Sequence, residues 1–141
     1  MDESIENICY RYNIKNYTIN NGVVDVEGNV SFYNKKIDKI PLKFGKVTGY
    51  FSCAFNKLTD LDGCPDHIGG DFYCHGNNLE SIEYPSYVGG DVIIDKQTLD
   101  KLKYKYEIDM SYGIPLIKNY NNVMKWLNRK KNIESILRNN I

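Results

Sequence analysis

The chain has 141 residues, of which 42% are hydrophobic, 13% aromatic and 26% charged. That is enough apolar content for one domain with its own core, and too much for a disordered or collagen-like chain. Its 18 basic and 18 acidic residues cancel, which argues against generic nucleic-acid binding. No apolar run reaches the roughly 18 residues of a membrane span. The first residues also lack the basic and apolar regions of a secretory signal, so a cytoplasmic setting is expected. Residues 3–10 are expected to form a short helix. After them Tyr17-Thr18-Ile19, the turn Asn20-Asn21-Gly22 and residues 23–26 spell a β-hairpin, because Asn-Gly is the strongest two-residue hairpin signal. Residues 1–29 thus form an N-terminal helix and hairpin cap.

A repeat follows. Segments starting at Val30, Phe51, Phe72 and Val92 stand 21, 21 and 20 residues apart. Two residues on come Phe32, Cys53, Cys74 and Ile94; then Ile37, Leu58, Leu79 and Leu99; then Ile40, Leu61, Ile82 and Leu102. Alternating apolar residues at the first two columns predict a short strand with one buried face. The turns before them, Glu27-Gly28, Thr48-Gly49, Gly69-Gly70 and Gly89-Gly90, suit a positive φ or a close approach of neighbouring backbones. The central copies read F-x-C-x-x-N-x-L, near the leucine-rich-repeat pattern with its period of about 20–29 residues. Asn56, Asn77 and Gln97 hold the amide column and are expected to satisfy buried backbone groups in a structural ladder. The expected fold is α+β: a short leucine-rich-repeat-like solenoid of about four coils of 20–21 residues over residues 30–102, with a parallel sheet.

Beyond the repeat, Thr98 is placed to cap a helix carrying Leu99, Leu102 and Tyr106. Pro115 suits a first helical position, and Leu116, Ile117, Tyr120, Val123, Met124 and Leu127 recur at three- and four-residue steps. Ile133, Ile136 and Leu137 suggest a second short helix, and Trp126 is expected to pack this unit on the last coil. Residues 103–141 are therefore expected to be a C-terminal helical cap within one compact domain.

Cys9, Cys53, Cys64 and Cys74 are expected to be reduced, and no C-x-x-C occurs. His67 and His75 lie near two of the cysteines, but the spacing does not match close-paired zinc ligands. No metal and no cofactor is expected. No G-x-S-x-G, Cys-His pair or H-E-x-x-H is present, and Asp71, Tyr73 and His75 fall on an open strand surface that does not exclude water. A non-enzymatic role follows.

Charge is segregated. Residues 58–95 contain no Lys or Arg and eight acids, namely Asp60, Asp62, Asp66, Asp71, Glu80, Glu83, Asp91 and Asp95. Residues 30–57 and the tail from 115 are basic. The strand residues pointing away from the core columns are Ser31 and Tyr33, Ser52 and Ala54, Tyr73 and His75, and Ile93 and Asp95, flanked by Tyr50, Asp71 and Asp91. Tyrosines among small polar residues suit a protein-binding surface, and the acids suit electrostatic steering of a partner.

The strings G-x-V-D-V-x-G-N-V at 22–30, PLKFGKVTG at 41–49 and LDGCPDHIGGDFYC at 61–74 resemble the leucine-rich-repeat-like proteins of tailed bacteriophages. The likeness covers roughly residues 17–102, and members of that family are mostly uncharacterised. The resemblance implies a viral protein acting in the host cytoplasm on a host protein partner. A virion structural subunit that self-associates, or an acidic mimic of nucleic acid, are the alternatives. Direct binding of nucleic acid or membrane is not expected.

Overall fold

The structure, a computed structural model, describes residues 3–80, 85–101, 107–108, 116–118 and 121. Helix α1 (Ile5–Arg11) precedes a hairpin of β1 (Tyr17–Asn20) and β2 (Val23–Val26). Short strands follow: β3 (Val30–Ser31), β4 (Lys43–Val47), β5 (Phe51–Ser52), β6 (His67–Ile68), β7 (Phe72–Tyr73), β8 (Tyr87–Val88) and β9 (Val92–Ile93). Helix α2 (Lys96–Lys101) and strands β10 (Glu107–Ile108) and β11 (Leu116–Lys118) complete the described elements.

The fold is mostly β, a β-solenoid of about three turns with parallel sheets and few helices. In one ladder β2, β4, β6 and β8 run parallel; in the other, β3, β5, β7 and β9 do. The second ladder pairs Val30 with Phe51, Phe51 with Phe72 and Phe72 with Val92. The repeat columns of the sequence are therefore the register of the sheet. The first ladder was not foreseen. Its strands β6 and β8 are only two residues long, each with one buried apolar side chain, Ile68 or Val88, which is too little to show alternation.

Both ladders bury one face against a common core. Val30, Phe32, Phe51, Cys53, Phe72, Cys74, Val92 and Ile94 are all buried, as are Leu58 and Leu79 from the third side of the coil. Phe32, Phe44, Phe51 and Phe72 stack through the centre with ring centroids 5.4–6.2 Å apart, in the range favoured for aromatic pairs. At the N-terminal end Cys9 is buried, Ile5 and Ile8 pack on this core, and the Tyr12 ring meets Phe32 edge-on at 4.8 Å. Ser4 starts α1 by accepting a hydrogen bond from the Asn7 N–H. The hairpin turns through Asn21 (φ 51°) and Gly22 (φ 78°), the two positive values that a type I′ turn demands.

Gly28 has a positive φ of 130° and open space beside it, whereas close approach explains the glycines of the later corners. A Cβ at Gly69 would fall on the Thr48 carbonyl oxygen, and one at Gly89 on the Gly69 carbonyl oxygen. Stacked corners leave no room for a side chain, so consecutive passes repeat Gly-Gly.

The C-terminal region departs from expectation. Helix α2 begins at Lys96, so Thr98 lies within its first turn, buried, with its N–H donating to the Asp95 carbonyl; it is not the helix cap. Residues 116–118 are strand, not the helix read from Pro115 onward. β11 pairs antiparallel with β9, and β10 with β11. The outer edge of β9 offers unpaired backbone groups, and satisfying them outweighs helical periodicity over so few residues. On the other ladder the Asn121 side chain donates to the Val88 carbonyl and accepts from the Val88 N–H, both at 2.8 Å. One amide there does the work of a pairing strand. The remaining expected helical positions, Tyr106, Tyr120, Trp126 and Ile133 among them, lie outside the described residues, as does Ile82 in the repeat.

Candidate functional site

Each coil leaves the β3–β5–β7–β9 ladder through a turn whose backbone must be satisfied inside the stack. Asn56 does this twice over. Its Oδ1 accepts from the N–H groups of Lys35 and Ile37 at 3.0 and 3.2 Å, and its Nδ2 donates to the Phe32, Cys53 and Ala54 carbonyls at 2.7–3.2 Å. Asn77 repeats the pattern one coil on, with Oδ1 on Leu58 N–H and Nδ2 on the Cys53, Cys74 and His75 carbonyls. Gln97 does not continue the ladder. It lies exposed on α2, and the Asp95 carboxylate instead accepts from the Gly76 and Asn77 N–H groups at 3.0–3.3 Å. Because the chain turns helical at Lys96, the bonding group must come from two residues earlier. Asp95 is thus turned onto backbone, and it does not line the groove described next.

This ladder fixes the outward side chains in rows. Ser31, Ser52, Tyr73 and Ile93 form one row by strand register. Tyr33, Ala54 and His75 stand two residues further along their coils. Where the second coil places small residues in both rows, the surface is hollow. Ser52 and Ala54 are buried at its floor, and the groove above them has a volume of about 850 Å³. Its walls are an unbroken series of rings: Tyr50 to Tyr73 at 6.1 Å, Tyr73 to His75 at 6.4 Å, His75 to Phe55 at 4.9 Å and Phe55 to Tyr33 at 5.5 Å. Asp71, Asp91, Ser31 and Ile93 also line it. Of the expected surface residues only Asp95 is left out.

Phe55 was missed. It occupies the coil position held by Asn34 and Gly76, and all three have positive φ, 51°, 55° and 73°. That region suits Asn and Gly and strains a bulky residue. A Cβ at Gly76 would meet the Phe55 ring and backbone at 2.5–3.0 Å, so the glycine makes room for the ring. The one signal available was an aromatic residue in a turn column.

The polar groups are unequal in their commitments. Asp71 accepts from the Asp91 N–H at 2.8 Å and from the Tyr73 hydroxyl at 3.2 Å. Burial first, and then the Asp71 charge, raise the Tyr73 phenol above its ordinary range, so it stays a donor. Asp91 is exposed, and its carboxylate bonds to none of the described residues. His75 Nδ1 is buried without a hydrogen-bond partner among the described residues. Burial lowers the His75 pKa, with Asp95 partly opposing it, so the ring is neutral near pH 7.

The four cysteines are free thiols in the core and contribute nothing to the groove. Burial pushes Cys53 up to about 12 and raises Cys64 and Cys74 as well, which removes their nucleophilic form. His67 lies in β6, on the other ladder from His75, and stacks on Tyr87 at 4.4 Å and 14°. Among the described residues no three His, Cys, Asp or Glu side chains come together as a metal site, and no helix is long and apolar enough to cross a membrane. Comparison with known protein families, with curated proteins and with solved structures finds no match.

Proposed function

We propose that this chain is a non-enzymatic binding module that docks a protein partner in the aromatic-walled groove. The observation that carries this is the hollow over Ser52 and Ala54, enclosed by rings from three consecutive coils. Rings held by a hydrogen-bonded ladder offer a large contact area that loses little entropy on binding, the usual make-up of an interface hot spot. The scaffold for this groove is a leucine-rich-repeat-like stack of four coils, with α1 and the hairpin as its N-terminal cap. On the resemblance to phage proteins alone, the partner is a host protein in the host cytoplasm.

Ser52→Tyr tests this directly. It fills the hollow with the residue its own row already carries at Tyr73, so the coil should tolerate it. Immobilised protein exposed to host lysate should retain a partner that Ser52→Tyr and Tyr73→Ala each retain at least about fivefold less well, which is roughly 1 kcal/mol. A partner held equally by all three proteins would refute the groove as the docking site.

A further inference from the structure

We propose that the groove takes a basic segment of its protein partner, with an arginine or lysine side chain seated between the rings over Ser52 and Ala54. This rests on the docking proposal and specifies the chemistry of what docks. Two independent features of the groove converge on a cation. The first is its walls: Tyr50, Tyr73, Phe55 and Tyr33 present aromatic rings to a hollow whose floor is small and buried, and ring quadrupoles attract a cation within about 6 Å.

The second is charge. Asp71 and Asp91 line the same groove and, among the described residues, no lysine or arginine does. Over residues 58–95 the chain has eight acids and no Lys or Arg, so its third coil supplies no cation of its own. Asp71 is occupied by Tyr73 and the Asp91 N–H. Asp91 is uncommitted among the described residues, and its carboxylate is the group left to meet an incoming charge. An anionic ligand would face both carboxylates, and the Tyr73 hydroxyl already donates to Asp71.

The shape favours a segment over a small free cation. The groove runs from Ser31 to Ile93, across four strands of the ladder. At about 4.8 Å per strand that is roughly 14 Å, several times the width of one ammonium group and suited to a short stretch of peptide crossing the coils. Arginine fits best, because its plane stacks on rings while its fork meets a carboxylate.

The probe is a short peptide with two arginines in a glycine–serine frame, with a twin carrying neutral citrulline in their place. Amide shifts of the isotope-labelled protein report binding residue by residue. The arginine peptide should move Ser52, Ala54, Tyr73 and Ile93, bind about tenfold more tightly than the citrulline twin, and weaken as salt rises. Asp91→Asn should reduce its affinity about threefold and leave the citrulline peptide unchanged, and Ser52→Tyr should abolish its shifts. Equal binding of the two peptides would overturn the cation and leave the docking proposal standing. Shifts confined to the other acids, at Asp60, Asp62 and Asp66, would overturn it, as would no shifts at all. The docking proposal fails separately, through unchanged partner retention by Ser52→Tyr.

Discussion

Replacing Asn77 by alanine isolates what one ladder residue contributes. Its side chain bonds to four backbone groups, but the loss is not four bonds. The Cys53 carbonyl keeps Asn56 Nδ2 at 3.0 Å, and the His75 carbonyl keeps the Phe55 N–H at 2.9 Å. What loses a partner is the N–H of Leu58, a fully buried residue, together with the Asn77 bond to the Cys74 carbonyl. A buried donor left unpaired costs about 1–3 kcal/mol. For a chain of this size that lowers the melting temperature by about 3–10 °C.

Asn78→Ala is the matched control. Asn78 is exposed, and its one bond among the described residues, from its own N–H to the Leu58 carbonyl at 2.9 Å, survives in alanine. Its effect should stay within about 0.5 kcal/mol. Thermal unfolding followed by circular dichroism compares the two. Equal losses, or an Asn77→Ala protein that melts with wild type, would refute the ladder as a source of stability.

Three further outcomes rest on burial and backbone geometry. Cys53, Cys64 and Cys74 should resist iodoacetamide at pH 8 in the native protein while all four cysteines react in denaturant; rapid native labelling would contradict their core placement. Because the folded state holds these thiol protons above the ordinary pKa of 9.0, the stability they lend is intact below pH 9 and is lost as pH rises toward 12. A melting temperature unchanged between pH 8 and pH 10.5 would count against this. Phe55→Asn should relieve strain worth about 1 kcal/mol at its positive φ, offsetting the lost ring contacts. It should therefore melt within a few degrees of wild type while binding the partner more weakly; a drop beyond about 10 °C would mean that the ring is structural.

The repeat was legible because each strand column meets one environment in every coil. A single register explains Val30, Phe51, Phe72 and Val92 as readily as Asn56 and Asn77. What was hidden depends on context that no column records. Gln97 sits in the amide column, yet one turn of helix starting at Lys96 carries it away and leaves the task to Asp95. Leu116 and Ile117 have helical spacing, but the open edge of β9 recruits them as strand. In the first ladder β2 was read only as half of the hairpin, and β6 and β8 hid as two-residue strands marked by Ile68 and Val88 before a pair of glycines. Within the groove, the alternation out of the core columns located Tyr33, Tyr73 and His75, and a flanking position located Tyr50. Phe55 escaped because its column reads as a turn, and only the fold shows that turn forming a wall.

The same contrast bears on where specificity resides. Inward columns and the amide column are constrained by packing and by backbone bonding, so a change there costs stability before it alters any surface. The outward row Ser31, Ser52, Tyr73 and Ile93 is less constrained: the two serine hydroxyls accept only long bonds, at 3.3 and 3.4 Å, from the Tyr33 and Ala54 N–H groups. The row varies from hydroxyl to ring to aliphatic across four coils. That variation makes the hollow, since two small residues in the second coil sit beside large ones in the third. Phe55 adds the complementary case, a turn position where the fold would be served better by Asn or Gly and holds an aromatic ring instead. A residue that the scaffold does not need, kept at some cost in backbone strain and aimed at the hollow, is better explained by what the groove binds than by what the solenoid requires.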